Sequence, residues 1–153
     1  MKKIFVLLSA AVITLTLSSY TAIDNGKPNK QIINTFKENF PLAENVIWSV
    51  EQTVHVAKFV NNDRAELAFY SIDGDYLGQI WRITLDETPA NVKTEILKGI
   101  KSEQVKTVNL FFPPEGYPKY VAITVVGSKK ITKQVDSYGE TTTVSKKRIP
   151  VLN

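Results

Sequence analysis

No cysteine occurs among the 153 residues, and histidine and methionine occur once each. Without a thiol there is no disulfide, no cysteine-bound zinc, no thiol nucleophile and no cysteine to carry a lipid at a processed N-terminus. With one histidine, His55, any imidazole metal site or Ser-His-Asp relay would have to be built around a single ring. The seven glycines stand singly and form no G-x-G-x-x-G, P-loop or G-x-S-x-G run, so nucleotide-dependent chemistry has no support. Long apolar runs are scarce as well. The one that stands out, Ile4 to Leu17, would reach about 21 Å as a helix, short of the roughly 30 Å hydrocarbon core of a bilayer.

That run fits a leader better than an anchor. Lys2 and Lys3 precede it and the small, polar "SSYTA" follows, the layout of a secretory signal peptide over 1–22 with Ala22 as the cleavage residue. Export to the periplasm or beyond is the expectation, with no stable membrane insertion once the signal is removed. Its loss would leave 17 basic against 15 acidic side chains, a net +2, so the basic balance of the whole chain says little about nucleic acid, and no nucleic-acid partner is expected. The remainder, 43% hydrophobic and 22% charged across the chain, is long enough for one ordinary globular domain.

After a polar linker over 23–28, Ile32, Ile33, Phe36 and Phe40 make one helix stripe, with Asn29 to cap it and Pro41 to end it. From Asn45 the period changes to two. Strands are predicted over 45–52, 54–61, 64–72 and 75–85, with Asp73-Gly74 as a hairpin turn because glycine accepts positive φ and aspartate tolerates it. The order then begins again. Thr88-Pro89 opens a helix carrying Val92, Ile96, Leu97 and Ile100, and strands follow over 105–112, 119–126, 129–136 and 140–148. Ile32, Phe36 and Phe40 map onto Val92, Ile96 and Ile100 at a constant offset, so the expected fold is α+β: two helix-plus-four-stranded antiparallel units in tandem, 29–86 and 87–149, with the helices on one side of the sheet.

A helix ending in "NFPLAENVIWSV", then "VAKFV", "AELAFYSIDGDYLGQ", a second helix and "YPKYVAITVVG", resembles the PepSY-like proteins that Bacteroidetes export to the periplasm, proteins also described as similar to β-lactamase inhibitory protein. The resemblance covers about residues 30 to 148. Phe40-Pro41-x-Ala43, Val46-x-Trp48 and Asp73-Gly74 carry it together, and the Lys- and Thr-rich last hairpin departs from it. It implies the same helix-plus-sheet units and no catalytic residues.

Chemistry-bearing residues are few. His55 reads as a strand residue, and Asp73 with Asp75 as turn carboxylates, since "DGDYLG" lacks the further oxygen ligands of a calcium loop. No metal or other cofactor is expected. Pairing about Asp73-Gly74 sets Glu66 opposite Trp81, Ala68 opposite Gln79 and Tyr70 opposite Leu77. If Leu67, Phe69 and Ile80 face the helix, then Glu66, Tyr70, Gln79 and Trp81 share the open face, a mixed polar and aromatic set of the kind that makes a partner surface. Lys129, Lys133 and Lys146, with Lys130, Lys147 and Arg148, form a secondary basic surface. These cations serve to protect an edge strand or to meet anionic lipid, lipopolysaccharide or an acidic partner. Phe36, Phe40, Trp48, Phe69 and Ile96 are the expected core. The function expected is a non-catalytic, exported binding or inhibitor-like module that presents a sheet face to a cell-envelope protein or peptide. The alternative is a carrier of a small amphipathic ligand between helix and sheet.

Overall fold

The computed structural model describes residues 27–149; the expected signal peptide and most of the linker lie outside them. Among the described residues the architecture is α+β, with two α-helices and eight strands in one antiparallel sheet of sequential order β1 to β8. By its contacts the chain divides into two compact units. One holds the described residues as far as Trp81 together with 112–116, and the other holds 82–111 and 117–149.

In the first unit, α1 (Lys30–Asn39) starts where the Asn29 side chain accepts a bond from the Ile32 N–H at 2.9 Å, satisfying a donor the helix itself cannot. It closes with the Phe40 N–H on the Phe36 carbonyl at 2.8 Å, ahead of Pro41. Strands β1 (Glu44–Glu51), β2 (Val54–Asn61), β3 (Arg64–Ser71) and β4 (Tyr76–Ile83) follow. Ile32, Phe36 and Phe40 pack on Ala57, Phe59, Ala68 and Tyr70, with Trp48 and Tyr76 half-buried at the margin. The Ala57–Ala68 cross-strand pair is what gives two phenylalanine rings room against the sheet.

The turn residues set the expected register, and four pairs form as the sequence predicts: Glu66↔Trp81, Leu67↔Ile80, Ala68↔Gln79 and Phe69↔Gly78. One residue then slips, and Tyr70 pairs with Tyr76 instead of Leu77. This bulge lies beside Gly78, whose φ of 125° suits glycine alone.

The faces are the reverse of the expectation. Ala68 and Tyr70, with Phe59, lie under α1, whereas Leu67, Phe69 and Ile80 point the other way. Both sets are buried, so apolarity did not mark the helix side; the small size of Ala57 and Ala68 did.

In the second unit, α2 (Ala90–Leu97) begins one residue later than predicted. Pro89 occupies the cap position, and the Thr88 hydroxyl donates to the Leu85 carbonyl at 2.6 Å rather than capping the helix. Gly99, at φ 75°, ends the turn that follows, which leaves Ile100 beyond the helix. Val92 and Ile96 are fully buried against Val108, Tyr120, Ala122 and Val135. Strands β5 (Val105–Phe112), β6 (Lys119–Val126) and β7 (Lys129–Asp136) match the predicted ranges, and β8 (Thr141–Arg148) pairs with β7 from Lys129↔Arg148 to Val135↔Thr141.

Candidate functional site

Glu66, Tyr70, Gln79 and Trp81 do share one face of the sheet, but it is the face under α1, so the partner surface expected from them is not an open one. Glu66 and Tyr70 are fully buried, Trp81 is buried and Gln79 half-buried. Their chemistry is internal. Tyr70 accepts a long bond from Asn39 Nδ2 at 3.5 Å and its ring meets that of Tyr76 at 5.5 Å and a tilt of 51°, while the Tyr76 hydroxyl donates to Gln79 Oε1 at 3.2 Å. Glu66 Oε1 accepts from Arg64 Nε at 2.9 Å and Nη2 at 2.8 Å, and Oε2 is buried without a partner. The same guanidinium lies 4.1 Å over Trp81, whose other ring contact is Phe112, stacked at 4.9 Å and 11°. Arg64 therefore covers the ring that the sequence offered as an anchor.

Burial also shifts the phenols. Desolvation of the anion raises Tyr70 to about 12, against a smaller opposing effect of the Asn39 bond. Tyr76 moves up further, from burial first and then the nearby Tyr70 and Glu66. An unfolded tyrosine ionises near about 10 while these stay protonated, so the folded state binds more protons in strong base. Stability is thus fully present below about pH 10 and is lost as the pH rises from there through about 12. Urea midpoints taken across that range should fall for the parent and fall less for Tyr70→Phe; identical slopes would show that the Tyr70 phenol titrates as freely as in the unfolded chain.

Other candidates take up structural work. Asp75 closes the β3–β4 turn, its N–H on Ser71 Oγ at 2.9 Å and its carbonyl accepting from the Ser71 N–H at 2.8 Å. His55 sits half-buried between Val50 and Tyr70, its pKa lowered by desolvation and its Nδ1 unpartnered. Among the described residues no three His, Cys, Asp or Glu side chains gather as a metal site would need. Ring packing fills the helix–sheet layer of the first unit, where Phe36 meets Phe40 at 5.3 Å and Phe59 at 5.0 Å. A groove of about 470 Å³ lies along Pro41, Leu42, Ala43, Glu44, Val60, Asn62 and Asp63.

Lys129, Lys133 and Lys146 come to one face of the last hairpin. Lys129 opposes Arg148 and Lys146 opposes Ile131, while Lys133 donates to the Lys98 carbonyl at 3.5 Å. Lys130 opposes Lys147 on the other face, so like charges meet once on each side of this ladder.

The exposed aromatic residues are others that the sequence did not single out. Tyr117 and Tyr138, 64% and 69% exposed, meet edge to face with ring centroids 5.4 Å apart at 77°. The turn beneath them is well fixed. Asp136 Oδ1 accepts from the N–H groups of Tyr138 and Glu140, both at 2.9 Å, and the Ser137 hydroxyl donates to the Pro118 carbonyl at 2.9 Å. Asn91 Nδ2, from α2, donates to the Ser137 carbonyl at 3.0 Å. The break between the strands predicted over 129–136 and 140–148 holds Tyr138; that this ring would reach Tyr117 is not legible in the sequence.

No family model and no curated protein matches the chain. Solved structures do. A DUF2874 family protein from Bacteroides ovatus ATCC 8483 superposes with a TM-score of 0.69 at 20% identity over 78% of this chain and 90% of its own. A BLIP-like protein from Bacteroides fragilis NCTC 9343 gives 0.69 at 16% identity over 85% and 92%. A protein from Bacteroides eggerthii DSM 20697 with a provisional periplasmic assignment gives 0.70 at 21% over 80% and 90%. This chain has the fold of these proteins.

Proposed function

We propose that the protein is a non-catalytic binding module, exported to the periplasm or beyond, which holds a protein or peptide partner through exposed tyrosines. The Tyr117–Tyr138 pair carries the reading. Two large amphipathic rings stand in water where two loops meet, held by four side-chain hydrogen bonds, so little ordering entropy remains to be lost on contact. The structural occupation of Asp75, which closes the β3–β4 turn, supports a non-enzymatic role. The envelope location is supported by the signal-like start and by the provisional assignment of the Bacteroides eggerthii neighbour; among the described residues no helix is long and apolar enough to cross a membrane. The resemblance to PepSY-like exported proteins and the doubled helix-then-four-strands order agree with a tandem scaffold of this kind.

Tyr117→Ala combined with Tyr138→Ala should leave the thermal melt nearly unchanged, because both rings are exposed. The same change should weaken capture of the envelope partner by more than about tenfold, or about 1.4 kcal/mol. Undiminished capture by the folded double variant, or capture by the parent no better than by an unrelated exported protein, would count against the reading.

A further inference from the structure

The two edges of the sheet are treated differently by the sequence. The β8 edge carries exposed Lys146, Lys147 and Arg148, charges that discourage strand-to-strand association. The β1 edge, "ENVIWSVE", has no lysine, arginine or proline. It exposes Val46, Ile47 and Val50 at 36%, 52% and 41%, and past the bulge between Glu44 and Ile47, where Asn45 takes φ 53°, the regular antiparallel alternation of Ile47–Glu51 leaves the backbone N–H and C=O of every second residue facing away from β2. Its charges are of one sign. Glu44 and Glu51 stand at its two ends, and Asp63 joins Glu44 in the groove at its start, while Lys58 is the sole lysine or arginine on β1 and β2 together.

We propose that β1 accepts an extended segment of a partner protein by strand addition, the segment being apolar along its middle with a lysine or arginine near each end. Main-chain bonds to β1 supply the affinity, Ile47 and Val50 receive the partner's apolar side chains, and Glu51 and the Glu44–Asp63 groove select the terminal cations. The strand, at roughly 3.3 Å per residue, sets a matching segment of about 26 Å. The proposal rests on the binding reading above and adds a second contact surface and the chemistry of what it takes.

The test uses two blocked peptides, Lys-Val-Thr-Val-Thr-Val-Thr-Lys and its twin with glutamate at both ends, titrated into the exported protein labelled with nitrogen-15. The lysine-ended peptide should bind at least about tenfold more tightly at low salt, with amide shifts concentrated on β1 and new exchange protection at alternate residues there. The combined change Glu44→Lys and Glu51→Lys, both on exposed or half-exposed sites, should reverse the preference without altering the melt. Equal affinity for the two peptides, shifts centred outside β1, or a preference that survives the charge reversal would overturn the proposal. So would sedimentation showing that a second copy of the chain already occupies β1. Loss of peptide binding with tyrosine-dependent capture intact would sink strand addition and leave the binding module standing. A β1-specific peptide complex without such capture would sustain strand addition and remove the tyrosine reading.

Discussion

Phe36→Ala should lower the unfolding free energy by about 3–5 kcal/mol, a large share of the roughly 5–15 kcal/mol that holds a domain of this size together. The residue is a hub. It is buried on the inner face of α1 and its ring meets four others: Phe40 at 5.3 Å, Trp48 at 5.2 Å, Phe59 at 5.0 Å and Tyr70 at 6.4 Å, three of them edge to face. Truncation removes the transfer energy of the ring and leaves a void that cannot close easily, because Ala57 and Ala68 opposite it carry only a methyl group fixed to the backbone. Leu42→Ala, at a residue 65% exposed, is the control and should shift stability by no more than about 0.5 kcal/mol. Urea unfolding followed by circular dichroism gives both values. A Phe36→Ala midpoint equal to that of the Leu42 variant would place the core elsewhere.

What the sequence makes legible here is local. Asn29, Pro41 and Asp73-Gly74 each impose one backbone geometry, and the ends of α1 and of the β3–β4 hairpin fall within a residue or two of where these residues put them, whereas α2 stops at Leu97, short of the Ile100 counted on its stripe. Register follows as far as Phe69↔Gly78 because a tight turn counts residues outward from its centre. The slip at Tyr70 comes from a glycine two residues inside the strand, whose positive φ no pattern of apolar residues announces.

Orientation is harder. Period-two alternation names a buried face only when the other face is wet, and β3 is buried on both, with Leu67 and Phe69 as inaccessible as Ala68 and Tyr70. The discriminating signal was volume: a helix that brings Phe36 and Phe40 needs small partners, and only one face of β2 and β3 offers two facing alanines. The same reasoning explains the misplaced partner surface. Tyr70 and Trp81 looked available because their neighbours Glu66 and Gln79 are polar, yet Glu66 is buried by virtue of Arg64, two residues earlier on the same strand and the same face. The rings that do stand in water, Tyr117 and Tyr138, come from loops whose approach is a tertiary event.

Arg64 gives the second large effect expected. Its guanidinium makes both contacts to Glu66 Oε1, at 2.8 and 2.9 Å, and also covers Trp81, so one exposed-looking arginine neutralises a carboxylate that has no other partner. Arg64→Ala leaves that charge buried and uncompensated. Removing one member of a buried pair costs about 3–5 kcal/mol, and because Arg64 is itself about half exposed the lower end, about 3 kcal/mol, is expected. Arg64→Lys should recover only part of the loss, since an ammonium cannot fork to the oxygen and lie flat on the indole together. The combined change Arg64→Ala and Glu66→Met removes both charges and fills the site with an apolar side chain of similar length, so it should return to within about 1 kcal/mol of the parent. Fluorescence adds an independent readout. Trp48 and Trp81 are the two tryptophans, and with indole excited selectively, uncovering the Trp81 face should move the emission to the red in the alanine variant. An Arg64→Ala protein that loses less than about 0.5 kcal/mol, with its emission unmoved, would mean that Glu66 finds water or another donor without the arginine. Near-additive costs in the double variant would show that the two side chains act separately.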